Sequence, residues 1–461
     1  MCEGIVAELL GIDLGDKRWN RRSVLVMEAL AANPEARVNA ACDGGSDTLA
    51  AYRFFNNSAV TPEPILQPQR EATQRRMREH PVVLIVQDTT ELDFTQHPTD
   101  DARGLNTEQR FGLYEQVHLA VTPDKLCLGV VGSEVFDRAP ESLGKADERR
   151  TRPMEEQESF RWLQGYRLAC ELAAECPQTP IVSIAEREAD IDDIFVEAQQ
   201  QTGPRADDLI RAPEDRSTPQ RDPSVGPAAS VKVRDEVSRS KLLATRIIEL
   251  RAPPRRAARQ AHLEIRALTV EIKPPHARSQ RSSVTHHVVL VEEVGGPGAG
   301  TEVAWLLLTT RPLETLDDIL RVSDFYGARW TVEMDFRTLK TGCRVEDIPL
   351  ETNHRRKNCL AFYKIIAWRI LFLTYLNRTC PKLPCTAVFA DSEWKSVWRV
   401  VKKQPLPKKP PVLSDFLQLL TQLGGYHNRA TELPPGPQPR WIGLRRITDF
   451  ATAWLAFGPQ D

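Results

Sequence analysis

The stretch FYGARWTVEMDFRTLK, residues 325–340, sets four polar side chains into a pattern that otherwise reads as an amphipathic helix. At the helical period Tyr326, Arg329, Glu333 and Lys340 fall within an arc of about 60°, so they share one face. Ile319, Val322, Phe325, Trp330, Val332, Phe336 and Leu339 project onto the same stripe or its flanks, while Asp324, Thr331, Asp335 and Thr338 point away. Charge inside an apolar stripe is costly to bury unless it is paired or bound to an ion. An internal Arg329–Glu333 pair, spaced i,i+4, would meet that requirement. A ligand held by that face would meet it as well, and the rest of the chain decides between them.

Working outward, the period changes along the chain. Residues 1–75 pattern as helices: DKRWNRRSVLVMEALAANP has apolar residues at helical spacing, and SDTLAAYRFFNN opens with a capping candidate at Ser46 or Asp47. Lys17, Arg18, Arg21, Arg22, Arg70, Arg75, Arg76 and Arg78 give this segment phosphate-binding potential, with solvated helix faces as the competing explanation. PVVLIVQDTTELDF is a continuous apolar run that stops at Asp88, EQVHLAVT alternates, and LCLGVVGSEVF follows, which predicts three strands. A helix over about 154–175, a strand PIVSIAERE ending at Glu186, a helix from near Asp190 and a strand DLIRAP come next. This β-β-β-α-β-α-β order is that of a ribonuclease-H-like mixed sheet. Residues 213–300 turn rich in Pro and Arg with strand-like pieces, which predicts a β-rich insertion, because alternating apolar residues need a partner surface. These patterns divide the chain into a helical domain at 1–75, an α/β domain at 76–370 with the insertion at 213–300, and a helical domain at 371–461.

Composition narrows the class. The 461 residues include 61 Lys plus Arg against 63 Asp plus Glu, so the chain is no simple polyanion sponge. The charge is uneven, with basic excess across 201–403 and acidic excess across 141–200, which suits an enzyme that holds a polyanion and gathers carboxylates at one point. No apolar run approaches the length of a membrane span and the start lacks the form of a signal peptide, so no membrane partner and a cytoplasmic location are expected. Nine cysteines lie without CxxC pairs, and Cys380 and Cys385 lack a second pair at zinc-finger spacing.

Three acids sit where sheets place chemistry: Asp88 after the first strand, Glu186 at the end of the fourth and Glu333 on the later helix. Three converging carboxylates call for cations, and two Mg²⁺ ions there would serve phosphodiester cleavage. With these residues in view, the sequence resembles the DDE transposases of the insertion-sequence-four group, of the Tn-five type. Tyr326, Arg329, Glu333 and Lys340 fit that group's Y-x2-R-x3-E-x6-K signature, and IVQDTTELDF, EREADI, WLLLTT and AAYRFFNN resemble further family segments. The resemblance implies cut-and-paste transposition of double-stranded DNA by a homodimer through a hairpin intermediate. It implies that Asp88, Glu186 and Glu333 are catalytic metal ligands and that Tyr326, Arg329 and Lys340 hold phosphates. It also implies that Trp330 and Trp305 stack on or wedge beside a flipped base, with core packing the alternative, and that Arg211 is a further phosphate contact. The N-terminal helices would read the transposon end and the C-terminal helices would form the dimer contact. The family carries Asp where this chain has Glu186, one methylene longer, which brings in Mn²⁺ as a substitute ion and Asp190 as a conceivable stand-in ligand. A catalytically impaired DNA-binding or inhibitor protein derived from a transposase is the second reading.

Overall fold

Val83 to Val86 is an unbroken run of buried apolar residues, and such a run needs neighbours on both faces. In the computed structural model, which describes residues 2–42, 44–105, 107, 109–137, 157–200, 203–213, 216–221, 230–250, 259–275, 278–296, 298, 302–426 and 437–459, this run begins a strand. The principal elements in chain order are α1 (Lys17–Ala32), α2 (Gly45–Phe55), α3 (Pro62–Met77), β1 (Val83–Asp93), β2 (Phe111–Val121), β3 (Cys127–Phe136), α4 (Phe160–Glu175), β4 (Ile181–Ala185), α5 (Asp192–Gln200) and β5 (Asp207–Arg211). They continue with β6 (Ala244–Leu250), β7 (Arg259–Ile272), β8 (Val284–Val294), β9 (Ala304–Thr309), α6 (Leu316–Ala328), α7 (Trp330–Arg337), α8 (Asn353–Thr379), α9 (Asp391–Lys402), α10 (Leu413–Leu423) and α11 (Pro437–Phe457). The protein is thus mixed α/β with a mixed sheet and helices at both ends. It divides into two units, one of Met77–Asp88 and Ala146–Trp330, the other of Met1–Arg76, Thr89–Lys145 and Thr331–Asp461.

In the first unit the start of β1 pairs in parallel with β4, and β4 pairs in parallel with β5. The sheet then turns antiparallel through β9, β8, β7 and β6. The Pro- and Arg-rich segment therefore places its long strands on the same sheet, as its alternating residues require. β7 buries every second residue near its ends, while β6, the last strand in this order, buries none of its side chains. The helix α6 starts at a capping box in which the Asp318 amide donates to Thr315 Oγ1 at 3.2 Å and the Thr315 amide donates to Asp318 Oδ2 at 3.0 Å.

In the second unit β2 pairs antiparallel with β3, and the N-terminal helices gather on α8. Phe54 and Phe55 meet Phe362 edge-on at 5.8 and 6.0 Å, and Asn358 Nδ2 donates to the carbonyls of Phe55 and Val60. By length and composition α8 could cross a membrane, yet 94% of its most apolar window is buried inside the protein, which makes it a core helix. Lys364 and Arg369 within it break the apolar text, which is why the sequence shows no run of that length.

Several expectations are corrected here. The expected single helix from Leu316 to Thr341 is interrupted: α6 ends at Ala328, Arg329 keeps helical dihedrals between helices, and Thr338–Gly342 forms a π turn. β1 does not stop at Asp88 but continues to Asp93, because polar residues can pair in a ladder as well as apolar ones. Ser46 and Asp47 lie in the first turn of α2, and the cap position is Gly44 at φ 104°, a backbone conformation suited to glycine. The expected helix start at residues 154–156 lies outside the described residues. Thr331, Asp335 and Thr338, expected on the polar side, are buried. The reason is a partner the local pattern cannot show: Lys364 Nζ of α8 reaches Asp335 at 2.8 Å and Glu115 of β2 at 3.0 Å, all three almost wholly buried. Burial works against the charge on Lys364, but the two carboxylates outweigh it and hold its pKa above the ordinary lysine value. Arg76, expected as a phosphate contact, is instead paired twice with buried Glu8 at 2.9 and 3.0 Å and lies over the Trp368 ring.

His118 on β2 supplies a pH prediction. Burial pushes its pKa from 6.5 down to about 4, so the folded state holds it neutral while the unfolded chain takes up a proton first. Stability should therefore fall as pH drops below the unfolded value, by about 3 kcal/mol down to the folded one. Urea unfolding at pH 7 and at pH 4.5 should show this loss in the natural chain and a smaller loss in His118→Leu.

Candidate active site

Parallel pairing sets the geometry of the site. The register matches Val83 with Ile181 through Val86 with Ile184, so Asp88 and Glu186, each two residues further along, arrive at the same level. On the next strand Ala185 pairs with Ile210, which puts Arg211 level with Glu186. One row across three adjacent parallel strands thus carries Asp88, Glu186 and Arg211, just past the paired stretch of β1 and β4. From α6 and its end come Tyr326 and Arg329, three residues apart and both buried.

These five side chains make one network. Arg329 NH1 reaches Asp88 Oδ2 at 2.7 Å while its Nε reaches Glu186 Oε1 at 3.2 Å, so a single guanidinium bridges the two carboxylates. The Tyr326 hydroxyl donates to the same Glu186 Oε1 at 2.5 Å, and Arg211 NH1 stands 3.6 Å from it. Arg211 is steadied by donating from NH2 to the Ala304 carbonyl at 3.1 Å. Trp305 lies half-buried with its ring edge-to-face to Tyr326, centroids 5.0 Å apart. Burial pushes the Glu186 carboxyl up, but the Tyr326 hydroxyl, Arg329 and Arg211 outweigh it and leave its pKa below the ordinary glutamate value. For Tyr326, burial and the adjacent carboxylate both raise the phenol's pKa, so its proton stays in place.

The other expected site residues are placed as follows. Trp330 is not in the apolar stripe but 61% exposed, the position of a ring that is not core packing. Glu333 sits half-buried on α7, and Lys340 sits half-buried in the π turn that follows it. Asp190 is engaged by Arg216, whose Nε lies 2.8 and 3.0 Å from its two carboxylate oxygens. Sequence reasoning passed over the support beneath the site, where Gln87 Nε2 donates to Ser183 Oγ at 3.2 Å between β1 and β4. The signal was present as one polar residue inside each apolar run, VLIVQD and IVSIAE.

Among the described residues no three His, Cys, Asp or Glu side chains form a group suited to a metal ion. The cation shared by Asp88 and Glu186 is the Arg329 guanidinium. The donor set nonetheless suits a hard divalent ion, being carboxylate oxygens at strand ends that together already draw a cation.

Comparison with known proteins adds what the geometry alone does not contain. Residues 1–60 match the family described as Transposase DNA-binding, and residues 365–455 match the one described as Transposase Tn5 dimerisation domain. Both ends match transposase families. These matches support a Tn5-like transposase, with DNA binding and dimer formation among its properties. Among solved structures, a chain of a piggyBac transposase synaptic complex with hairpin DNA is a distant likeness, with 9% identity and a TM-score of 0.36, over 96% of this chain and 73% of that one.

Tyr326→Phe should isolate the phenol's part in the network. Losing a hydrogen bond to the ionised form of Glu186, whose side chain is about a fifth exposed, is expected to cost about 1 kcal/mol at pH 7. Because Glu186 titrates below its unfolded value, this difference should hold down to about pH 4.3 and narrow below it, as the folded carboxyl takes up its proton, read by urea unfolding across that range.

Proposed function

We propose that the protein is a cut-and-paste DNA transposase that binds transposon ends as a homodimer, cleaves them through a hairpin intermediate and joins the 3′ ends to target DNA. The observation that carries this reading is the row of Asp88, Glu186 and Arg211 on adjacent parallel strands, closed by Tyr326 and Arg329, in a chain whose two ends match transposase families. The sheet order and the parallel pairing support a ribonuclease-H-like catalytic domain. Asp88 and Glu186, with Glu333 as the third carboxylate, would hold two Mg²⁺ ions, or Mn²⁺ in their place, whose chemistry is to polarise the attacking oxygen and stabilise the leaving one.

The chain's own groups do the rest. Arg329, Arg211 and Lys340 offer positive charge to the phosphates at the scissile position. Tyr326 keeps its proton and orients the Glu186 carboxylate. Trp330, exposed beside Arg329, is available to stack on a base displaced from the duplex. Trp305, packed against Tyr326, has the weaker case for that task and serves to hold the phenol in place.

A second reading, a catalytically impaired DNA-binding or inhibitor protein, is favoured by the long Glu186 carboxylate, which already accepts from the Tyr326 hydroxyl and the Arg187 amide and pairs with Arg329 and Arg211. Cleavage of DNA that carries a pair of inverted repeats read from the sequence flanking the gene separates the two. Glu333→Gln keeps the shape and removes a carboxylate, so strand cleavage should drop at least about a hundredfold with DNA binding retained. Unchanged cleavage in Glu333→Gln would refute the site, and binding without cleavage by the natural chain in either Mg²⁺ or Mn²⁺ would establish the second reading. Lys340→Ala should weaken end binding and lower the slope of log affinity against log salt by about one.

A further inference from the structure

Asp88, Glu186, Arg329 and Arg211 carry two negative and two positive charges, so these four groups sum to zero without any added ion. Arg329 occupies one oxygen of each carboxylate at once, Oδ2 of Asp88 and Oε1 of Glu186. A divalent ion must approach carboxylate oxygens more closely than a guanidinium does, to about 2.0–2.2 Å for Mg²⁺ or Mn²⁺. It cannot share these oxygens with a fixed guanidinium, because the two cations would lie within repulsive range inside a partly desolvated site.

We propose that Arg329 is the resident counter-ion of the two carboxylates in the DNA-free protein and that a divalent cation binds there by displacing it. Resting on the metal-site reading above, this assigns Arg329 two consecutive partners. Before loading it holds Asp88 and Glu186 at a common level, and once displaced its guanidinium is released to pair with a phosphate. Metal and DNA then favour one another's binding, since the ion takes the place of the guanidinium on the carboxylates and the phosphate takes up the guanidinium's charge. The longer side chain at position 186 matters here, because it brings Oε1 to Arg329 Nε and the Tyr326 hydroxyl together.

Calorimetric titration of the full, DNA-free chain with Mn²⁺ tests this without reference to activity. Arg329→Gln should bind Mn²⁺ at least about tenfold more tightly than the natural chain, because the ion no longer has to break two charged contacts. Adding Asp88→Asn to that variant should abolish the gain. If Arg329→Gln binds no more tightly while Asp88→Asn still removes binding, the counter-ion role is overturned and the metal site stands. If the natural chain and Arg329→Gln both fail to bind Mn²⁺, or Asp88→Asn binds as well as the natural chain, the metal reading fails and the proposal with it. Should Arg329→Gln not fold, as judged by circular dichroism, Arg329→Lys serves instead: one ammonium cannot span both carboxylates, so a smaller gain in the same direction is expected. No gain there overturns the proposal.

Discussion

Two carboxylates held level on adjacent parallel strands repel one another and need positive charge between them. In this protein that requirement is met by Arg329, 2.7 Å from Asp88 and 3.2 Å from Glu186, and the surrounding groups follow from it. The parallel register leaves no freedom in the level of Asp88 and Glu186, since shifting either strand by one residue would turn its carboxylate to the other face. Tyr326 lies one helical turn before Arg329, which brings its hydroxyl to the Glu186 oxygen that the guanidinium also uses. Arg211 completes the charge balance from the third strand.

The same physics recurs in the other unit with a different result. Lys364 sits between Asp335 and Glu115 with all three side chains sealed from water, and nothing there is placed to exchange partners with solvent. Around Asp88 and Glu186 the side chains keep roughly a tenth to a fifth of their surface exposed. A fully buried cluster of this sort ties elements together, whereas a partly exposed one can give up its internal cation for another. That contrast is why the strand-end cluster, and not the Lys364 cluster, is the candidate for chemistry.

What could be read from the residues alone follows the range of the forces involved. The strand end at Glu186 was legible because an apolar run stops beside it, whereas at Asp88 the apolar run stops and β1 goes on to Asp93; the shared face of Tyr326 and Arg329 was legible from helical spacing. The break at Arg329 was not, because residues 325–340 keep a helical pattern through it. The burial of Asp335 depends on Lys364, 29 residues away in the chain, and no local period reports such a partner. Exposure of Trp330 likewise reverses what its neighbours suggest, since an aromatic residue flanked by apolar positions ordinarily packs inward. Arg76 shows the opposite error, a cation that scanned as a DNA contact and serves as a structural pair with Glu8.

On the proposal above, Asp88 and Glu186 form a cation site whose occupant in the DNA-free protein is an arginine. Crystals of the chain soaked in Mn²⁺, with diffraction recorded at the manganese absorption edge, test it most directly. The account predicts an anomalous peak about 2.0–2.2 Å from oxygens of both carboxylates, with the Arg329 guanidinium moved away from them. Arg329 still bridging Asp88 and Glu186 at saturating Mn²⁺, with no peak beside either carboxylate, would contradict it.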